Sequence, residues 1–292
     1  MTVSRAALIA RPQLPAALDA LTEAAGWLAA CGVGVIVDAA SARDAGLADR
    51  YRVLPKDQLA AQADVVITLG GDGTLLDAAG TVARAGATTP VMGINLGRLG
   101  FLTEASRAGM INALEALVGG RARIESRAML AGRVRRRGAV EFERLALNDI
   151  VVTRGALARM IEVSVAVDGQ SVCEVKADGL IVATPTGSTA YNLSAGGPIV
   201  HPAVDAFVVT PIAPHTLTNR PLVLPATVGI VLSPVLDPQS EIVVTFDGQA
   251  AVRLEAGDTI EIRRAAHQVR LVHTSDRTHF DMLREKLQWG KG

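Results

Sequence analysis

The chain has 292 residues, of which 49% are hydrophobic and 3% aromatic, and its 29 basic and 29 acidic side chains cancel to a formal net charge of zero. That length supports a large core and two domains of roughly 100–200 residues each. Balanced charge and scarce aromatics supply neither the electrostatic footprint nor the stacking surface of a nucleic-acid binder, so no nucleic-acid partner is expected. Cys31 and Cys173 are far apart with no CxxC pairing, and they read as small core residues in a reducing compartment. The N-terminal apolar run is broken by Arg11 and Pro12, too short for a signal or a membrane span, so a cytoplasmic location without membrane contact is expected.

Taken in order, residues 6–10 read as a buried strand, 14–30 carry Leu18, Leu21, Ala25 and Leu28 at helical spacing, and 33–37 return to strand. A strand over 64–69, a helix over 75–85 and a strand over 91–94 continue the alternation. This predicts an α/β domain over 1–125, a parallel sheet covered by helices. A helix is expected over 103–119, ending at Gly119-Gly120.

Beyond residue 125 the texture changes to short strands over 128–134, 140–145, 149–152 and 161–167, parted by Arg137-Gly138 and Asp168-Gly169. Further strands follow over 180–183, 207–212, 222–224, 228–232, 241–246, 260–263 and 269–272, with Asp247-Gly248-Gln249 as a hairpin turn. The expectation is a β-rich, sandwich-like domain over 126–270, then a segment over 271–292 whose amphipathic helix at 280–289 packs back on the first domain. Arg133, Arg135, Arg136 and Arg137 form the densest basic cluster, which strand alternation makes a solvated hairpin face. The five histidines show no HxH, HExxH or Cys/His pairing, so no protein metal ligands are assigned.

The chain centres on residues 65–80, VVITLGGDGTLLDAAG. A β-branched run, a glycine turn and a helix start make an anion cradle, with Gly70, Gly71 and Gly73 permitting positive φ and close backbone approach. A carboxylate in such a cradle would repel phosphate. Asp72 therefore reads as a holder of a phosphate-bound cation, as the acceptor of a hydroxyl proton during phosphoryl transfer, or as a plain helix cap. A second glycine loop, GINLGRLGFLT at 93–103, leaves its strand on the same rim, where ligands of parallel sheets bind. A hydroxyl-rich turn, TPTGST at 184–189, can donate to ribose, ring or phosphate atoms, and Tyr191 follows it.

LGGDGTLL at 69–76, GINLGRLGFLT at 93–103, LNDIVV at 147–152, DGLIVATPTGSTAYNLSAGGPI at 178–199 and FDGQ at 246–249 together resemble the bacterial NAD kinases. The resemblance implies ATP-dependent phosphorylation of the 2′-hydroxyl on the adenosine ribose of NAD, giving NADP. ATP and NAD are then the substrates, with magnesium as the divalent metal ion. It also implies an N-terminal α/β domain, a β-rich C-terminal domain, and a homo-oligomer, dimer or tetramer, whose neighbours help complete the dinucleotide site. By the same resemblance Asp72 is the proton acceptor, with Gly73 beside the ribose and diphosphate. Asn148 and Asp149 bind the dinucleotide, Asp149 standing where many relatives carry Glu. Asp178 serves the nicotinamide end, and Thr189, Ala190, Tyr191 and Ser194 form the adenosine-side turn. Arg159 and Lys176 stand where relatives tend to be basic, and Gln249 is a binding position.

GGDG alone also occurs in diacylglycerol-type lipid kinases and phosphofructokinases. Here LLDAAG follows at 75–80 where lipid kinases show an Asn-Glu pair, and no basic amphipathic helix offers a membrane surface. A regulator that binds dinucleotide without chemistry gains little from Asp72. No GxxxxGK[ST] sequence is present, which leaves the triphosphate to the glycine loop, the metal and nearby basic residues.

Overall fold

The computed structural model describes residues 2–97, 100–103, 105–155, 160–216, 218–236 and 241–289. The chain folds as two compact units, residues 1–126 with 269–292, and residues 127–268. The first unit runs β1 (Arg5–Ala10), α1 (Pro15–Ala30), β2 (Gly34–Asp38), α2 (Ala39–Ala45), β3 (Arg52–Leu54), α3 (Lys56–Gln62), β4 (Val65–Gly70), α4 (Asp72–Arg84), β5 (Val91–Asn95), β6 (Ala105–Ser106) and α5 (Met110–Val118). Strands β5-β4-β1-β2-β3 lie side by side and all parallel. β4 is buried along its whole length, as a strand covered on both faces must be. α1 opens at Pro15, whose missing N–H is no loss in a first turn, and lays Ala17, Leu21, Ala24 and Leu28 on the sheet. Full burial of Leu21 or Leu28 contributes about 1.5–3 kcal/mol each.

Two expectations fail here, one of them reaching into the second unit. The helix expected over 103–119 begins only at Met110, after Gly109, because the preceding backbone at 101–103 is hydrogen-bonded to Asp72 instead. Cys31 is exposed at the end of α1, beyond Leu28, the last buried residue of that helix, and Cys173 is only half-buried.

The second unit carries β7 (Arg123–Arg136), β8 (Ala139–Ala146), β9 (Asp149–Arg154), β10 (Ile161–Val167), β11 (Gln170–Ala177), β12 (Gly179–Ala183), a 3₁₀ turn (Gly187–Thr189), α6 (Tyr191–Ser194), β13 (Ala206–Ile212), β14 (Leu222–Pro225), β15 (Ile230–Val235), β16 (Ile242–Phe246), β17 (Ala250–Arg253) and most of β18 (Thr259–His273). One antiparallel sheet has the order β14-β13-β12-β9-β16-β17; the other runs β11-β10-β15-β18, with the β7–β8 hairpin on β18. Ile150, Val152, Leu180, Phe207, Phe246, Ile230 and Ile260 fill one core from both sheets, which is a sandwich. The turn pairs Arg137-Gly138, Asp168-Gly169 and Asp247-Gly248 all have positive φ, the twist that tight hairpins demand.

β18 is a single strand where two were expected, and its last residues return to the first unit, where Leu271 pairs with Val91. α7 (His279–Leu287), also in the first unit, is held at its start by a Thr278–Asp281 capping box. The basic hairpin face is ion-paired: Arg133 to Glu143 at 3.0 Å, Arg135 to Glu261 at 2.6 Å and Arg136 to Asp258 at 2.8 Å.

Candidate active site

In the first unit, β4 delivers the chain through Gly70 and Gly71 directly into α4. The glycines provide clearance rather than handedness, since none of Gly70, Gly71 and Gly73 uses the positive φ that glycine permits. A Cβ on Gly70 would stand 2.3 Å from Thr74 Oγ1, whereas at Gly71 and Gly73 it would meet open space. Asp72 is the first residue of α4, and Gly71 rather than Asp72 occupies the cap position. Its carboxylate receives the N–H of Phe101 at 2.8 Å on Oδ2, and those of Leu102 at 3.3 Å and Thr103 at 3.1 Å on Oδ1. The two glycine loops are therefore joined at Asp72. Gly100 is obligatory there, because a Cβ would lie 1.8 Å from Asp72 Oδ1.

Beside this junction opens a cavity of about 380 Å³ lined by Arg11, Lys56, Gly71, Gly73, Thr74 and Asp77, among others. Lys56 Nζ lies 2.6 Å from Asp77 Oδ2, and Arg11 stands just past β1, its N–H bonded to Leu69 O at 2.8 Å. Two cations at the N-terminal end of a 13-residue helix suit a polyphosphate. None of Arg11, Lys56 and Asp77 was assigned to the site from sequence. The signal for Arg11 was available, as a basic residue at the carboxyl end of a strand neighbouring β4.

In the second unit the Asn148-Asp149 pair is built by Asp247. Sitting at φ 51°, Asp247 accepts the backbone N–H groups of Leu147, Asn148 and Asp149 at 2.8, 2.7 and 3.2 Å. Asp149 itself is buried, and burial first, then the Asp247 charge, pushes its carboxyl up to about 7. Burial likewise pushes Asp247 up, against its three amide donors. The hydroxyl-rich turn is fastened to the same segment: Thr184 N bonds Asn148 O at 2.9 Å, and Thr184 Oγ1 donates to Leu147 O at 2.6 Å. Asn148 Oδ1 is buried and meets no donor among the described residues, a deficit of about 1–3 kcal/mol that a ligand N–H or O–H would remove.

Asn192, unremarked in the sequence, is the internal brace of this turn. Its amide donates to Ser188 O and Pro198 O, both at 3.0 Å, and accepts from Thr210 Oγ1 at 2.6 Å. With Asn192 inward, Tyr191 and Ser194 face outward on α6, and Thr189 and Ala190 are half-buried before it. Gln249 follows Asp247 in the adjoining hairpin.

Lys176 and Asp178 stand apart from this group, at the other end of β12. Asp178 is bound by Arg154 Nε at 2.8 Å, and Lys176 pairs across strands with Glu162 at 3.1 Å. Arg159 lies outside the described residues.

With this geometry in hand, comparison with known proteins is decisive. Residues 6–122 match the family described as the ATP-NAD kinase N-terminal domain, and residues 147–274 match the ATP-NAD kinase C-terminal domain. The chain belongs to the NAD kinase family. An NAD kinase of Aromatoleum aromaticum is 44% identical over 97% of this chain and 93% of the relative. One of Geobacter sulfurreducens is 41% identical over 99% of this chain and 100% of the relative. Among solved structures, yeast NADH kinase complexed with NADH superposes with a TM-score of 0.91 at 26% identity, covering 100% of this chain and 89% of that one. An NAD kinase from Archaeoglobus fulgidus in complex with ATP gives 0.75 at 28% identity, covering 97% and 98%.

No group of three or more His, Cys, Asp or Glu side chains placed to hold a metal ion occurs among the described residues. The cavity lining offers one carboxylate, Asp77, and a magnesium ion that travels with nucleotide phosphates keeps most of its waters and needs one or two carboxylates at most. No helix among the described residues is long and apolar enough to cross a membrane.

Proposed function

We propose that the chain transfers the terminal phosphoryl group of ATP to the 2′-hydroxyl on the adenosine ribose of NAD, with Asp72 orienting that hydroxyl and taking its proton. Phosphorylation of NAD with ATP is the activity of the family to which it belongs. The observation that carries the assignment is the Asp72 carboxylate, fixed at the head of α4 by three amides of the second glycine loop, between Gly71 and Gly73, which line a cavity together with Arg11 and Lys56. As the ribose oxygen bonds to phosphorus and the bond to ADP breaks, the hydroxyl proton passes to the carboxylate. General-base help of this kind is worth roughly 10²–10⁴-fold.

In this reading Arg11 and Lys56 take the triphosphate in the cavity, and magnesium, arriving with ATP, screens its charge. Gly73, bare of side chain, admits ribose and diphosphate. Asn148, Asp149 and the turn bearing Thr189, Ala190, Tyr191 and Ser194 take the adenosine side, the unpartnered Asn148 Oδ1 accepting a ligand hydrogen. Lys176 and Asp178 serve the nicotinamide side; the five residues of β12 separate them from the first group by about 17 Å, enough to attend to different parts of a dinucleotide. Arg159 and Gln249 are further binding positions, and a cytoplasmic homo-oligomer is the working form.

The test is a phosphotransfer assay with ATP and magnesium that offers NAD, diacylglycerol and fructose 6-phosphate side by side, with the product's phosphate position read by mass spectrometry. NADP alone is expected. Phosphorylation of either other substrate in preference to NAD, or phosphate at a different ribose oxygen, overturns the reading.

A further inference from the structure

We infer that Thr103 is a positioning residue for the phosphoryl transfer, and that the loop it fastens leaves Asp72 Oδ2 as the oxygen that takes the proton. An ionised carboxylate offers about four lone-pair directions, two on each oxygen. Asp72 Oδ1 receives two amides, from Leu102 and Thr103, and Oδ2 receives one, from Phe101, with no further partner for either among the described residues. One direction remains, on Oδ2.

The amides owe their positions to a buried clasp behind them. Thr103 Oγ1 accepts the N–H of Gly100 at 3.0 Å and the side-chain Nδ2 of Asn95 at 3.0 Å, while Asn95 Oδ1 accepts the N–H of Gly97 at 2.8 Å. Thr103 is 2% exposed and Asn95 4%. Asn95 ends β5 directly opposite Gly70, the last residue of the strand that leads to Asp72. The loop is thus gauged against the same sheet edge that carries the carboxylate, and Thr103 serves it twice, by its hydroxyl on Gly100 and by its own amide on Asp72. Without the hydroxyl, Gly100 and the three amides lose their anchor and the carboxylate gains rotational freedom. A misplacement of about 1 Å in a reacting group costs up to roughly 10²-fold in rate. Substrate binding, which falls to other residues, is untouched.

This inference rests on the proposed role of Asp72, and the experiment separates the two. Steady-state kinetics on Thr103→Val, Thr103→Ser, Asn95→Ala and Asp72→Asn are compared with the parent, alongside melting temperatures. Thr103→Val keeps the volume and removes the acceptor; its kcat is expected to fall roughly tenfold or more with KM for NAD and ATP within about twofold, the scale of a small misplacement. Thr103→Ser is expected to recover kcat to within about twofold, and Asn95→Ala to lower kcat as Thr103→Val does. Unchanged kcat in Thr103→Val, an equal loss in Thr103→Ser, or a loss confined to KM overturns the positioning role. If Thr103→Val fails to fold, unchanged kcat in Asn95→Ala has the same force. Should Asp72→Asn lose turnover while Thr103→Val keeps it, only this inference falls; should Asp72→Asn keep turnover, the reading of Asp72 falls and takes the inference with it.

Discussion

Asp149 makes the stability of the chain depend on pH in a direction unusual for an aspartate. It is 6% exposed, and its carboxyl is raised from 3.8 to about 7, by burial first and by the Asp247 carboxylate second. The folded chain therefore keeps a proton that the unfolded chain releases near pH 4. Between those two values the native state binds more protons, so this group's contribution is fully present below pH 4 and is lost as pH rises toward 7. A gap of about three pK units, at about 1.4 kcal/mol each, amounts to a penalty on the order of 4 kcal/mol above pH 7. Asp149→Asn removes the charge while keeping the volume and the backbone N–H that Asp247 accepts. With about 2–4 °C per kcal/mol for a chain of this size, the variant is expected to melt on the order of 10 °C above the parent at pH 8 and roughly 3–7 °C above it at pH 5, where the penalty is already on the order of 1.5 kcal/mol. Differential scanning calorimetry from pH 5 to pH 8 makes the comparison. A difference that does not grow with pH, or an asparagine variant less stable at pH 8, would refute the assignment of a protonated Asp149.

Gly187→Ala places a Cβ 2.0 Å from the carbonyl oxygen of Asn148, backbone against backbone, and must part the tie between the hydroxyl-rich turn and that residue. A loss of about 1–3 kcal/mol in stability, the usual cost of overpacking, is expected together with weaker NAD binding. Calorimetry and NAD titration check both, and unchanged values contradict the joint construction of turn and pair. Lys56→Met is expected to raise KM for ATP roughly tenfold to a hundredfold and leave KM for NAD within about twofold, since loss of a charged contact is worth roughly 1.5–3 kcal/mol. The opposite pattern in steady-state kinetics would assign the cavity beside Gly71 to the dinucleotide.

What could be read from the sequence follows the range over which its signals act. The alternation of β1, α1, β2, β4, α4 and β5 was legible because the strands bury continuous apolar runs and the helices apolar residues at helical spacing, and the hairpins at Arg137-Gly138, Asp168-Gly169 and Asp247-Gly248 because each turn carries a glycine at positive φ. α2, β3 and α3 escaped because three to seven residues carry too little periodicity. The start of α5 was misjudged because the bonds that hold residues 101–103 out of a helix come from a residue some thirty positions away, Asp72. The same distance hid parts of the site. Asp247 read as a turn residue, yet its carboxylate shapes the backbone at 147–149 across 98–100 positions. Asn148 and the turn at 184–189 were singled out separately, and only the fold joins them. Arg11 and Lys56 meet the glycine turn through the parallel sheet, which no linear motif records.

The central claim is that one carboxylate, Asp72, takes the ribose proton while contributing little to holding the substrates. The most direct measurement pairs calorimetric NAD binding with single-turnover NADP formation for Asp72→Asn. A dissociation constant within about threefold of the parent and a rate at least about a hundredfold lower are predicted, the low end of general-base effects. A rate within about tenfold of the parent, or a loss accounted for by weakened NAD binding, would contradict the account.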